Sequence, residues 1–260
     1  MADGREQFIF GKTMIRAVFV SLVTFLYIMV VGLPFLILAR LTKNTDPLYQ
    51  LGMTGARMAL WLSGVRLEVH GLEKIPHGRA AIYMPNHQSN CDPPAVISIL
   101  PPVLVLAKQE FFRVPVLGRA MVFRGFIPVD RKNREKAIAA VERAVDSLKA
   151  GSSFLAFPEG TRSPDGRLQA FKKGLFVMAI KAGALIVPIS ASGARKIMVK
   201  GQFVIHPGRV RITIHDPIPA ENYTLEQRRE LIQRTREAIL SGLEPEEWPV
   251  EEAEKVVEKS

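Results

Sequence analysis

The sequence predicts an α/β domain with a largely parallel central sheet flanked by helices, preceded by an N-terminal, membrane-associated helical hairpin. Three observations lead there. From Val65 onward, short apolar runs alternate with longer stretches of helical period, the pattern of strands joined by crossover helices. Before that point, Ala17–Ala39 is one uncharged apolar run of 23 residues, above the threshold of roughly 18 for a spanning helix. Finally, each distinctive polar cluster follows directly on a predicted strand.

The N-terminal run lies between basic flanks, Lys12 and Arg16 before it and Arg40 and Lys43 after it. Gly32 and Pro34 interrupt it, leaving Ala17–Val31, 15 residues, unbroken. That is about 22 Å of helix, short of a hydrocarbon core of roughly 30 Å. Basic residues on both sides are satisfied if both flanks stay on one face. Asp46-Pro47 reads as a second helix start, with Leu48, Leu51, Met58 and Leu62 on one face and Gly52, Ala56 and Ala59 small enough for close packing. Residues 14–63 are therefore expected to form a helical hairpin that dips into, or crosses, a membrane, with return to the side of entry favoured over a true crossing. The run is long for a cleaved signal peptide, and no small-x-small site follows it closely.

In the second part, the runs 66–69, 80–84, 103–107, 126–129, 154–157 and 185–189 are expected strands, with 203–205 and 210–214 as a late strand pair. Between them, 94–100, 116–123, 134–150 and 172–182 have helical character; Ile138, Val141, Val145 and Leu148 form the clearest stripe, closed by Gly151. Thr224 opens a charged helix to about Leu240, with Thr-x-x-Gln as a capping box. The chain thus divides into a hairpin (1–63), an α/β domain (64–243) and an acidic tail (244–260) expected to fray or be disordered.

Charge narrows the partners. The net charge is +10, but the tail contributes −5, so residues 1–243 carry +15. Such a body suits an anionic membrane, a phosphate-bearing substrate, an acidic protein or nucleic acid. The basic residues are interleaved with apolar strands and show no aromatic stacking series, which ranks nucleic acid low. The single cysteine, Cys91, allows no intrachain disulfide and fits a reducing compartment.

The stretch PNHQSNCDP, residues 85–93, holds the chemistry. His87 can take a proton from a hydroxyl near neutral pH, and Asp92 can hold its other ring nitrogen. Asp92-Pro93 is equally a good helix start. In an open α/β sheet, ligands gather beyond the carboxyl ends of the strands. His87 and Asp92 follow one predicted strand, Lys108 another, Asp130 and Arg131 a third, and Pro158–Arg162 a fourth. Parallel strands would set all four on one rim. Arg162 offers a planar fork and Lys108 a point charge for a phosphate; Gly160 permits close backbone approach, and Thr161 supplies a hydroxyl. Taken singly, the 158–170 loop is an ordinary surface loop and the cations are solvated charges; their common rim argues for a site.

These stretches resemble the glycerolipid acyltransferase family. NHQSNCD is similar to its Asn-His-x-x-x-x-Asp block, RGFIPVDR (124–131) to the second, FPEGTRS (157–163) to the third and Val187-Pro188-Ile189 to the fourth; KQEFF (108–112) and FKKG (171–174) also look typical. The resemblance covers roughly residues 65–220 and is nearest to bacterial 1-acylglycerol-3-phosphate acyltransferases. It implies a glycerol-3-phosphate acyltransferase-like fold and acyl transfer from an acyl carrier protein or coenzyme A thioester to lysophosphatidic acid, giving phosphatidic acid. No cofactor or metal is implied. His87 would be the general base and Asp92 its partner. Glu159, Gly160, Thr161 and Arg162 would belong to the phosphate-binding block, joined by Lys108 and Arg131, and Pro188 would wall an acyl pocket. Backbone N–H groups near the start of the helix after Asp92 are candidate oxyanion donors. The expected location is the cytoplasmic face of the inner membrane. The rivals are a metal-dependent phosphoesterase using His87, Asp92 and Glu159, a membrane-tethered nucleic-acid-binding module, and a sibling acyltransferase with another acceptor.

Overall fold

The computed structural model describes residues 2–130 and 133–250, with residues 2–10 described by their backbone alone. Helix α1 (Ala2–Tyr27) runs through a π turn, Ile28–Gly32, directly into α2 (Leu33–Thr42). Gly32 and Pro34 therefore do not end the helix at Val31, as the sequence had suggested. Pro34 removes one backbone donor and its ring crowds the preceding turn, and the wider π turn accommodates both. Gly11–Thr42 is 32 residues of helix, apolar enough to cross a membrane by length and composition. Lys43, in the left-handed region, stops α2, and α3 (Asp46–Leu62) turns back. Gly55, not Gly52, is the close-approach point: a Cβ there would lie 2.8 Å from the Tyr27 ring. The Tyr27 hydroxyl donates to the Leu51 carbonyl at 3.0 Å.

The α/β part follows as β1 (Val65–His70), β2 (Ala81–Pro85), α4 (Asp92–Ile97), β3 (Leu104–Lys108), α5 (Leu117–Phe123), β4 (Ile127–Val129) and α6 (Arg134–Lys149). Then come β5 (Phe154–Leu155), α7 (Lys173–Ala182), β6 (Leu185–Ser192), α8 (Ala194–Ile197), β7 (Gly208–Ile214), β8 (Ile218–Pro219) and α9 (Arg228–Ser241). The sheet order is β1-β7-β6-β2-β5-β3-β4, with β8 also on β6. Every pairing is parallel except β6 with β7 and with β8. The carboxyl ends of β2, β5, β3 and β4 thus share one edge, as expected from the sequence.

Side chains alternate between two cores. Ala81, Tyr83, Val187 and Ile189 face α1, α3, α4 and α8. Ile82, Met84 and Ile186 face α6, α7 and α9. Local signals place several ends: Asn133 caps α6 by accepting from the Lys136 N–H, and Gly183 closes α7 at φ +60°. Thr224 and Gln227 form the reciprocal capping pair, but one turn ahead of α9, which starts at Arg228.

Two expectations fail here. Residues 203–205 form no strand; Val204 and Ile205 are buried in irregular chain, where the Ile205 N–H donates to the Thr13 carbonyl. Strand β7 finds its partners in β1 and β6 instead. The first part of the acidic tail, 244–250, is docked rather than frayed. Glu247 accepts from the Gly193 N–H at 2.8 Å, and the Trp248 carbonyl accepts from Arg167 at 2.7 Å. Residues 251–260 lie outside the described residues.

One strained point stands out before α5. Val116 has φ +62° and ψ −59°, and the Leu117 N–H reaches the Pro115 carbonyl at 2.6 Å. This positive-φ γ-turn is rare, more so for a β-branched residue, and costs on the order of 1–3 kcal/mol. It projects Val116 at the π turn, where a Cβ on Gly32 would lie 3.3 Å from the Val116 side chain.

Candidate active site

Strand β2 ends at Pro85, and the Asn86 side chain continues its ladder to β6. Its Nδ2 donates to the Ala191 carbonyl at 3.0 Å and its Oδ1 accepts from the Ala191 N–H at 2.7 Å. The Asn86 backbone is thereby released into the loop that presents His87. That loop is pinned from several directions. The His87 N–H donates to Glu159 Oε1 at 2.6 Å, and its carbonyl accepts from the Ser163 N–H at 2.7 Å. Gln88 Nε2 donates to the Gly166 carbonyl, and Ser89 Oγ to the Met198 carbonyl. Phe157 stacks on the imidazole with centroids 4.1 Å apart.

The ring itself faces Asp92, with Nδ1 2.8 Å from Oδ2. The same carboxylate oxygen accepts from the Gln88 N–H at 2.6 Å and the Ser89 N–H at 2.7 Å. Asp92 is fully buried at the first position of α4, and its Oδ1 has no partner. Burial raises the Asp92 pKa, opposed first by the His87 hydrogen bond and then by the two loop N–H groups. Because Oδ2 accepts, Nδ1 bears the proton and the Nε2 lone pair is left available. Nε2 has no partner among the described residues, and the side chain is 15% exposed. A substrate hydroxyl can therefore reach a correctly oriented base.

Loop 158–169, after β5, is the other half of the site. Glu159 is buried; its Oε2 accepts from the backbone N–H and the Nε2 of Gln169, both at 3.1 Å. Burial pushes its pKa up to about 7, against the N–H groups of His87 and Gln169. Gly160 turns the chain at φ +74°, and a Cβ there would press on the Lys172 stem at 3.2 Å. Thr161 is exposed, Arg162 is half-buried, and the Arg162 guanidinium makes no hydrogen bond or ion pair among the described residues. Lys200 Nζ donates to the Arg162 carbonyl at 2.6 Å.

Residues 66–192 match the family model described as Acyltransferase. The chain is 36% identical over 203 residues to the chloroplastic 1-acyl-sn-glycerol-3-phosphate acyltransferase LPAT1 of Arabidopsis thaliana, covering 75% of this chain and 55% of that one. It is 31% identical over 189 residues to the 1-acyl-sn-glycerol-3-phosphate acyltransferase of Borreliella burgdorferi, covering 72% and 76%. The chain belongs to the acyltransferase family. It spans about half the length of that Arabidopsis protein and of its relatives from Brassica napus and Chlamydomonas reinhardtii. Among solved structures, it matches the 1-acyl-sn-glycerophosphate (LPA) acyltransferase PlsC of Thermotoga maritima with a TM-score of 0.78 at 26% identity, covering 89% of this chain and 94% of that one.

In this family member, the rim brings some of the expected residues together and not others. The His87 loop and loop 158–163 are bonded to each other. Lys108 lies on the same edge, but its ammonium pairs with Glu110 at 2.9 Å. Arg131 lies outside the described residues. Glu159, expected in the phosphate-binding block, does not face the rim: it is buried, with both oxygens turned inward onto N–H donors. Pro188, expected to wall an acyl pocket, alternates onto the Met84 and Ile186 side of the sheet, beneath α7 and α9 and opposite the N-terminal helices. The residue suits its position: its missing N–H falls where β6 passes from β8 to β7, beside a carbonyl that accepts from His215. Finally, the start of α4 offers no oxyanion donor. Pro93 and Pro94 have no N–H, and those of Asp92 and Ala95 bond Ser89 and Cys91. The thiol of Cys91, pushed up to about 12 by burial, stays protonated and is no nucleophile.

Sequence reading quoted Phe157 and Lys172 within FPEGTRS and FKKG without giving either a role, and missed Gln169 and Lys200. Gln169 stands between those two motifs and was legible as their neighbour. Lys200 comes from a distant segment, and no local signal announces it.

Proposed function

We propose that this protein transfers a fatty acyl group from an acyl thioester to the sn-2 hydroxyl of 1-acylglycerol-3-phosphate, giving phosphatidic acid. The observation that carries the reading is the His87–Asp92 pair with Nε2 unengaged, tied through the main chain to the 158–163 loop. The names of the relatives support the choice of acceptor.

In this reading Nε2 of His87 takes the proton of the glycerol hydroxyl as its oxygen attacks the thioester carbonyl. Asp92, fixed by three N–H donors, stabilises the imidazolium. Collapse of the tetrahedral adduct breaks the carbon–sulfur bond, and the imidazolium returns the proton to the leaving thiolate. Arg162, with Lys172 and Lys200 nearby and Lys108 on the rim, holds the acceptor phosphate and sets the hydroxyl beside His87, so that much of the rate comes from positioning. Thr161 and Gly160 supply a hydroxyl and room at the loop tip. The donor is acyl carrier protein or coenzyme A, with no metal or other cofactor, and nucleic acid is not a partner.

The same reading places α1 and α2 in lipid, because Val18, Phe19, Leu22, Phe25, Val30 and Ile37 are exposed along the uncharged stretch 17–39. The catalytic domain then sits at the cytoplasmic face of the inner membrane. A product assay tests the function: purified protein is offered several lysolipids with acyl carrier protein or coenzyme A thioesters, before and after chelation. Phosphatidic acid forms from lysophosphatidic acid, unaffected by chelator and absent in His87→Ala. Production only from another lysolipid, or loss on chelation, overturns it.

A further inference from the structure

We propose that Phe111–Phe123 is a second membrane-contacting element, seated in the same anionic lipid surface as the N-terminal helix; this rests on the reading that α1 and α2 lie in lipid. The segment follows Lys108 and presents Phe111, Val114, Val122 and Phe123 to the outside, with Val122 60% exposed. A patch of four large apolar side chains on one short stretch marks an interaction surface rather than scattered exposure.

Continuity with α2 identifies the occupant. Val116 and Ala120 pack with Leu36, Ala39 and Leu48. Val116 also meets the π turn at Gly32, and the Arg40 guanidinium lies 5.7 Å over the Phe123 ring. The apolar outer face of α2 (Leu33, Ile37, Leu41) therefore meets the patch, with the Arg40 guanidinium bridging the two at their junction. Around it, Arg40, Arg113 and Arg119 are exposed. Apolar side chains in the acyl region with arginines reaching the headgroups are the arrangement of an interfacial element on anionic lipid.

The patch is built as a firm wedge rather than a loose loop. The γ-turn at Val116 holds its bend, and Gly118 lies so close to the Phe112 carbonyl that any Cβ would be 2.2 Å from that oxygen. Because the segment starts at the end of β3, docking it sets the rim that bears Lys108 and the His87 loop at headgroup level. The acceptor phosphate would then be met at its own depth.

The test uses the full chain with Cys91→Ser, reconstituted in vesicles of phosphatidylethanolamine and phosphatidylglycerol. Single cysteines at Val122, Ser21 and Glu226 are labelled with an environment-sensitive fluorophore and quenched by lipids bearing a nitroxide on the acyl chain. Val122 and Ser21 are expected to shift to the blue and be quenched, and Glu226 neither. Quenching at Ser21 with Val122 behaving like Glu226 overturns the wedge alone. Absence of quenching at both Val122 and Ser21 overturns the membrane reading with it. A Val122 response only to added acyl carrier protein, or only to protein concentration, would assign the patch to a protein partner and refute lipid. Adding Arg119→Glu should weaken Val122 quenching in the anionic vesicles more than in phosphatidylcholine; equal quenching in both overturns the anionic assignment.

Discussion

Replacing Asp92 by Asn removes one charge while keeping the shape of the site. The amide oxygen can take the place of Oδ2 and still accept from His87 Nδ1, Gln88 N and Ser89 N. The amide NH2 then occupies the buried Oδ1 position, where the carboxylate oxygen has no hydrogen-bond partner among the described residues. An unsatisfied buried donor costs about 1–3 kcal/mol, offset by no longer burying a charge. Stability should therefore change little. The rate should not survive, because the imidazolium loses its counter-charge. Two unit charges about 4 Å apart at an effective dielectric of about 20 interact by about 4 kcal/mol, which is roughly a thousandfold in rate. The assay is formation of phosphatidic acid in mixed micelles, with thermal unfolding measured on the same samples. A folded variant within tenfold of the parent rate would refute the charge-stabilising role and leave Asp92 as a loop pin. In a His87→Ala background the substitution should cost nothing further, since the two act as a unit.

Arg162→Ala should lower kcat/KM for lysophosphatidic acid by about ten- to a hundredfold, the worth of a charge-assisted hydrogen bond of roughly 1.5–3 kcal/mol. Lys108→Ala should cost less, because its ammonium already pairs with Glu110; equal losses on an acceptor lacking the phosphate would make both residues structural. Glu159 titrates near 4.5 when unfolded and at about 7 when folded, so the folded state holds the extra proton in that window. Its contribution to stability therefore falls as pH rises from about 4.5 to about 7, by up to roughly 3 kcal/mol. Glu159→Gln should flatten that slope in urea unfolding at pH 5 and 8, and parallel pH dependence in the two proteins would contradict the assignment. Gly118→Ala should destabilise by at least about 1–3 kcal/mol through overpacking against the Phe112 carbonyl; an unchanged melting temperature would show that the contact can relax.

What the sequence disclosed, and what it withheld, divides along physical lines. Periodicity located β2, β3, β6, α6 and α7 because each has one buried face or is buried on both. It misassigned 203–205 because burial without ladder partners has the same apolar signature as a strand. The rim could be foreseen, since parallel crossovers force successive carboxyl ends onto one edge. Which side chains turn outward could not. Glu159 and Arg162 sit three residues apart in one loop, yet one is buried on N–H donors and the other faces out, a choice made by Gln169 and the His87 backbone. The lack of helix-start donors was legible all along in Pro93-Pro94. The continuation of α1 through Gly32 and Pro34 was not, because a π turn has no distinctive residue pattern.

Besides the local hold of Asp92, the His87 loop is tied to partners remote in the chain: Glu159 at a separation of 72 residues, Gly166 at 78 from Gln88, Ala191 at 105 from Asn86 and Met198 at 109 from Ser89. Contacts of that range close last, since their loop-closure entropy must be met before they contribute. The base is therefore assembled only after β2, β5 and β6 have joined and the segment after α8 has come in. On the proposed reading, a nascent chain has no competent histidine until its final third has folded, so acyl transfer would require the whole fold.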